Sequence, residues 1–406
     1  MVKRVIKLII ALSIIFLPLT KNVWAIEDPL ASPNNIFGIH ILNETDLEEA
    51  ALLVNSSGGD WGYVTLVVRK DERDTKRWQN VFDIMRRLHL IPIVRIATRQ
   101  LNGGWEKPNF DEIDGWVSFL NSLNWVVKNR YVVIGNEPNH AKEWGGKVDP
   151  VEYAKYLEAV SHKLKAVSSD FFILPAALDA SAPEANGFMS EISFLKVMLA
   201  ANPDIFNFID GLNSHSYPNP DFSGSPEEVG RGTVATFRWE IEVLHEMGVT
   251  KKLPVFITET GWKNKKDNEK EISDNLINAF TDVWKDEDVV AVTPFVLDYE
   301  DPPFDIFSWT KKDGSFRLFY FDIKNLPKKK GKPEILSAGR FKKVIFPPIL
   351  KIDNKFYGIA YLENIGQSIW QKMETTEIKR KDKLITVTPL FFDLEPFEKG
   401  LVIFEK

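Results

Sequence analysis

The chain has 406 residues, 57 acidic against 51 basic side chains, a formal charge of −6 and no cysteine. That length allows a sizeable core, with room for one large domain and a small one. The mild negative charge offers no basic face to nucleic acid, and the lack of thiols excludes disulfides, thiolate metal sites, a cysteine nucleophile and a lipidated cysteine. The basic runs Lys263-Asn-Lys-Lys266 and Lys328-Lys-Lys-Gly-Lys332 are short and far apart, and read as solvated loops.

At the N-terminus Lys3, Arg4 and Lys7 precede an apolar stretch from Leu8 to Leu19, and Val23-Trp24-Ala25 places small residues at −3 and −1. This is the layout of a secretory signal peptide cleaved after Ala25. The stretch is about a dozen residues, whereas a span needs roughly 20. Residues 1–25 are therefore set aside from the fold. The expected product is a monomer outside the cytoplasm, with no integral membrane segment once the signal is removed.

From Ile36 onward short apolar runs alternate with longer amphipathic stretches. Strands are expected at Ile36–Leu42, Trp61–Val68, Ile91–Ile96, Tyr131–Asn136, Phe171–Ala176, Ile209–Ser214, Pro254–Thr258 and Val289–Val296. Between them lie helix signals. Thr45-Asp-Leu-Glu48 reads as a capping box, and Asp149-Pro150 and Ser225-Pro226 each set a capping residue before a proline. Trp78, Phe82, Met85 and Leu88 recur at helical spacing, as do Tyr153, Leu157, Val160 and Leu164.

Eight strand–helix units over roughly 300 residues fit an α/β fold of the (β/α)8 TIM-barrel type, expected over residues 26–330. An open doubly wound sheet is the rival, but it normally follows its first strand with a glycine-rich phosphate turn. Here Phe37-Gly-Ile-His40 leads instead to Asn43 and Glu44. After the connector Asn325-Leu-Pro-Lys-Lys-Lys-Gly-Lys-Pro333 the pattern becomes strand-like, at Val344–Leu350, Tyr357–Leu362, Leu384–Val387 and Gly400–Phe404. Residues 331–406 are expected to form a small all-β accessory domain. The run Tyr361-Leu-Glu-Asn-Ile-Gly-Gln-Ser-Ile-Trp370 resembles the strand–turn–tryptophan element of immunoglobulin-like sandwiches.

Two glutamates end apolar runs and meet turn residues at once. Glu137 does so in Tyr131-Val-Val-Ile-Gly-Asn-Glu-Pro-Asn139, and Glu259 in Pro254-Val-Phe-Ile-Thr-Glu-Thr-Gly-Trp262. Burying a carboxylate is costly, so two strands that stop on one point to a cleft that uses both. In a barrel the strands' carboxyl ends share one face, and strands four and seven lie across its mouth from each other. Two carboxylates facing one cleft are the minimal equipment for cleaving a glycosidic bond.

With these motifs in order the chain resembles the clan A glycoside hydrolases, the retaining barrels that include family 5 cellulases and mannanases and family 39 xylosidases. The resemblance covers about residues 36–320. It implies that Glu137, after Asn136, is the acid/base and that Glu259 is the nucleophile. It also implies that Asn213-Ser-His-Ser-Tyr217 is the His-x-Tyr of strand six, with His215 and Tyr217 orienting the carboxylates, and that Arg69 lies beside the nucleophile. No metal or cofactor is called for, and the partner is an oligo- or polysaccharide.

Many clan members end strand eight on a tryptophan under the sugar. Here that strand runs Pro294-Phe-Val-Leu-Asp-Tyr-Glu300, so the ring is expected from Trp309 in the following loop or from Tyr299. His40, Trp105, Trp144 and Trp262 sit at strand ends or in loops where they could meet a sugar. Asp298, Glu300, Asp301 and Asp305 read as a solvated loop. Two other outcomes stay compatible with the same residues: a catalytically silent carbohydrate-binding barrel, and a transglycosylase.

Overall fold

The computed structural model describes residues 26–101, 103–380 and 383–405; the expected signal peptide lies outside them. Eight parallel strands form the wall: β1 Gly38–Ile41, β2 Gly62–Arg69, β3 Leu90–Ala97, β4 Arg130–Ile134, β5 Phe171–Pro175, β6 Leu212–His215, β7 Val255–Glu259 and β8 Val289–Val292. Each lies within a few residues of its expected place. The helices are α1 Leu47–Val54, α2 Thr75–Arg87, α3 Ile113–Ser122, α4 Pro150–Val167, α5 Glu191–Ala201, α6 Thr236–Glu246, α7 Glu269–Asn278 and α8 Leu318–Asn325.

The strands pair in sequence order as two sheets, β1 to β5 and β6 to β8. At one seam Phe37 bridges Val292, and His40 N–H donates to Pro294 O at 3.0 Å. At the other, Asp210 N–H donates to Ile173 O at 2.8 Å, while the Asp210 carboxylate accepts from Ile173 N–H at 2.7 Å. A side chain thus takes the place of a ladder carbonyl there. Near the strand starts Tyr63, Tyr131, Phe172 and Phe256 converge with ring centroids 5.0–6.2 Å apart and fill the barrel floor. Above them Thr65 and Thr293 hydroxyls pair at 2.8 Å. This packed interior leaves the carboxyl ends of the strands as the open face.

The helix signals fared unequally. Asp149 caps α4 by accepting from Glu152 N–H, with Pro150 in the first turn, and Tyr153, Leu157, Val160 and Leu164 are buried against the wall. Thr45 makes no capping box: α1 begins at Leu47 after a 3-10 turn, and its cap residue Asp46 makes no side-chain cap. Ser225-Pro226 opens only a turn, in which Ser225 Oγ accepts from Glu227 N–H, because the chain must still reach α6 at Thr236.

The C-terminal strands are β9 Gly339–Ile352, β10 Lys355–Asn364, β11 Thr376–Arg380, β12 Lys383–Pro389 and β13 Lys399–Glu405. They form one antiparallel sheet in the order β9-β10-β13-β12-β11. The sheet curls until Ala338, just before β9, bridges Lys379 on β11, so its two halves form the layers around fully buried Trp370. Thr376–Arg380 was not legible as a strand because three of its five residues are charged and only Ile378 is buried. This part meets the barrel through Asn124 Nδ2 to Gly366 O at 2.9 Å and Gln367 Nε2 to Val127 O at 2.8 Å. Among the described residues no helix is long and apolar enough to cross a membrane.

Gly38 sits where β1 meets both β2 and β8. A Cβ there would come within 2.6 Å of Thr293 Cγ2 and 2.8 Å of Tyr63 O. Gly38→Ala should therefore destabilise the protein by about 1–3 kcal/mol through overpacking at the seam, seen as a lowered urea midpoint. An unchanged midpoint would show the seam to be slack.

Candidate active site

β4 stops at Ile134, and Gly135 turns the chain with φ +94°. Glu137 follows at φ +32°, a conformation that costs a non-glycine residue about 1 kcal/mol or more. It is held there by Glu137 N–H donating to Ala177 O at 3.1 Å and by His140 N–H donating to Glu137 O at 2.8 Å. The turn aims the carboxylate into the mouth of the barrel. Across it, Glu259 is the last residue of β7, where the pairing with β6 shifts register between Ser214 and His215.

The two carboxylates share a network. His215 Nδ1 lies 2.7 Å from Glu137 Oε1 and 3.8 Å from Glu259 Oε2. Tyr217 donates its hydroxyl to Glu259 Oε2 at 3.1 Å, and Arg95 donates Nη1 to Glu259 Oε1 at 3.0 Å. The same Arg95 nitrogen reaches Asn136 Oδ1, and Asn136 Nδ2 donates to Glu143 Oε2 at 3.2 Å. Both carboxylates and the His215 ring present atoms within 4.8 Å of one another.

Burial works against charge on Glu259, but His215 and Arg95, with the Tyr217 hydrogen bond, outweigh it and hold the carboxyl below its usual range. Burial likewise disfavours charge on His215, and there Glu259 and Glu137 outweigh it and raise the imidazole. Glu143 goes the other way: burial first, then the Glu137 charge, push it up to about 7. Beneath the site His40 is fully buried, neither ring nitrogen has a hydrogen-bond partner among the described residues, and burial lowers it to about 3, so it is neutral at physiological pH.

A cavity of about 310 Å³ opens over this network. Phe222, Phe295, Tyr299, Phe304 and Phe307 form an aromatic wall on one side, and Gln100, His140, Asp179, Ser181 and Asn219 line the rest with Trp105 and Glu143. His140 Nε2 and Asp179 Oδ2 pair at 2.9 Å within that polar part. The cleft thus joins a charged floor to a flat apolar face, the combination that holds a pyranose ring by its hydroxyls and its C–H face.

Among solved structures, a family 39 glycoside hydrolase from the gut symbiont Bacteroides cellulosilyticus WH2 superposes with a TM-score of 0.50 at 13% identity, covering 93% of this chain and 81% of that one. A monomeric β-xylosidase from Caulobacter crescentus CB15 does so with a TM-score of 0.53 at 15% identity, covering 87% and 77%. The chain shares the fold of these two proteins. No family model and no curated protein sequence matches the chain.

The network gathers Asn136, Glu137, His215, Tyr217 and Glu259, and Tyr299 lines the cleft beside them. Arg69 does not join them: it points away from the mouth to pair with Glu72 at 2.8 Å and Asp71 at 3.6 Å. The arginine against Glu259 is Arg95, whose signal in the sequence was a lone charge inside the apolar run of β3. Three tryptophans expected at the sugar are buried as packing instead. Trp262 donates Nε1 to Gly224 O, Trp309 packs on Phe319, and Trp144 packs on Tyr153 and Tyr156. Trp309 is 3% exposed, and its backbone N–H donates to Val296 O at 3.0 Å. The ring at the end of the eighth strand is Phe295, edge-on to His40.

Glu137, His215 and Glu259 are also spaced to ligate a metal ion. Their lone pairs are engaged by Arg95, Tyr217 and each other, and a guanidinium 3.0 Å from Glu259 opposes a second cation. The set suits proton transfer better than metal binding.

Glu143 makes stability depend on pH. Its folded-state carboxyl, near 7, keeps its proton longer than the unfolded chain's, near 4.5. Its contribution is therefore complete below about pH 4.5 and is lost as pH rises through about 7. The buried pair Glu191 and Glu240 is pushed up by burial and acts in the same sense, so the test is a difference. Between about pH 5 and pH 8 the urea midpoint of Glu143→Gln should fall less than that of the parent. Equal falls would remove Glu143 from the account.

Proposed function

We propose that the protein is a retaining glycoside hydrolase acting on β-linked glycosides, with Glu259 as nucleophile and Glu137 as acid/base. The observation that carries this is the unequal treatment of two carboxylates in one cleft. Glu259 is kept ionised by His215, Arg95 and Tyr217, while Glu137 shares a hydrogen bond with His215 Nδ1. Their oxygens fall within 4.8 Å, close to the carboxyl spacing of about 5–5.5 Å in retaining enzymes and short of the 6.5 Å or more that inversion requires. The fold shared with a family 39 glycoside hydrolase and a β-xylosidase supports the same assignment.

In the first step Glu259 attacks the anomeric carbon as Glu137, protonated through its hydrogen bond with His215 Nδ1, gives that proton to the leaving oxygen. In the second Glu137 takes a proton from water, which displaces Glu259. Asn136, clamped between Arg95 and Glu143, is placed to donate to a hydroxyl of the reacting sugar as charge develops on the ring. His215 passes the proton state of one carboxylate to the other. The chain is proposed to be exported, with a mature N-terminus at Ile26, as N-terminal sequencing of the secreted protein would establish.

A 2-fluoro glycoside that the enzyme turns over slowly should leave its covalent label on Glu259. Label on another residue, or inversion of the anomer, would sink the mechanism. Glu259→Gln should lose nearly all turnover, whereas Glu137→Ala should keep most of its first-step rate on substrates with good leaving groups. Equal loss of both steps in Glu137→Ala would argue against the division of roles.

Arg95→Met should cost about 10²–10³-fold in kcat/KM and move the acidic limb of the pH profile upward, since Glu259 loses a charge that holds its pKa down. A lower rate with an unmoved limb would assign Arg95 to folding alone.

A further inference from the structure

The C-terminal hairpin carries an apolar surface that the cleft does not use. From Lys342 to Ile352 every residue of β9 except Pro348 is exposed. Those residues include Val344, Ile345, Phe346, Ile349, Leu350 and Ile352, with Ile349 at 65% and Leu350 at 53% exposure, and Phe356 opposite is exposed too. The cause is topological. β9 is the sheet's edge, and β10 pairs with β13 only from Tyr357 to Glu363, so the distal hairpin has no outer neighbour. Asp353 and Asn354, at φ +47° and +65°, close it with a tight turn. By the register of the pairing, Leu350 and Ile352 lie on one face of the hairpin and Ile349 and Phe356 on the other, and a projecting ribbon apolar on both faces marks a segment that meets something.

What it meets follows from its chemistry. A strand from a second copy would need the edge N–H groups, and Pro347 and Pro348 remove two in succession at the middle of β9. A second ribbon would also bring like charges: residues 339–356 hold Arg340, Lys342, Lys343, Lys351 and Lys355 against Asp353 alone, on a chain of net −6. Arg340 and Lys342 reach Glu363, and Lys355 reaches Glu405, but Lys343 and Lys351 make no ion pair among the described residues. A polysaccharide would find branched aliphatic side chains where it needs flat rings and donors. Aliphatic residues interleaved with lysines fit a lipid surface, with the apolar groups at the acyl boundary and the ammonium groups on phosphates.

We propose that the β9–β10 ribbon docks the protein on an anionic phospholipid bilayer, through Ile349, Leu350, Ile352 and Phe356 with Lys343 and Lys351 at the headgroups. The missing edge donors at Pro347 and Pro348 lower the cost of approaching the acyl region. The ribbon is remote in sequence from the carboxylate pair, so docking stands apart from the assignment of the cleft.

The test is co-sedimentation of the full protein with vesicles. It should pellet with phosphatidylglycerol–phosphatidylcholine vesicles and stay in solution with phosphatidylcholine alone. The K343Q/K351Q variant should partition about thirtyfold more weakly, and I349S/L350S should not pellet, while both keep the parent's melting temperature. Equal pelleting with both vesicle types, no pelleting of the parent, or variants that pellet like the parent would overturn the proposal. So would a dimer in light scattering that I349S/L350S converts to monomer, or retention on insoluble polysaccharide that the same variant abolishes.

Discussion

One buried cation organises the site. Arg95 brings a permanent positive charge to the middle of a barrel whose floor is otherwise rings and hydroxyls, with only 11% of its side chain exposed. Such a charge persists only when paired, and one of its three nitrogens, Nη1, is shared by Glu259 and Asn136. Together with His215, the larger influence, Arg95 lets Glu259 stay ionised in a cleft where burial alone would protonate it. Asn136 is fixed because its carbonyl faces the guanidinium and its amide faces Glu143. His215 then completes the set, lying between two carboxylates that favour its charged form against the cost of burial. Remove Arg95 and both the ionised Glu259 and the fixed Asn136 become less favourable.

The wall of the barrel and its two glutamates were legible in the sequence for a common reason. Buried parallel strands are continuous apolar runs, and a carboxylate at the end of such a run stands out against its surroundings. Asn136, His215 and Tyr217 lay next to those strand ends, so their direction followed from strand geometry. Arg95 was harder. It lies inside β3 rather than at its tip, and only the cost of an inward charge identifies it. Arg69 attracted notice by standing at the end of β2, but a strand-end residue is free to turn outward, and acidic neighbours two and three positions on drew it away.

Loop side chains were the least legible. A tryptophan in a strand-to-helix loop packs inward or faces the ligand according to how the loop folds back, and nothing in the local pattern decides between these. Trp144, Trp262 and Trp309 turned inward, leaving phenylalanines to face the cleft. The wall of Phe222, Phe295, Phe304 and Phe307 would offer the C–H face of the proposed sugar a flat partner without an indole donor, leaving orientation within the cleft to the polar side chains opposite.

The two seams of the barrel acquire a meaning from where they fall. The sheet of β1 to β5 carries Arg95 and leads into Asn136 and Glu137, and the sheet of β6 to β8 carries His215 and Glu259 and leads into Tyr217. Neither sheet holds a complete site. The gap between the two carboxylates is thus measured across the seams, one of them closed by an aspartate side chain in place of a backbone carbonyl. That gap is the length that separates retention from inversion. In the proposed reaction the stereochemistry of the product would then be a property of how the two sheets are joined, with the seams as the gauge that sets it.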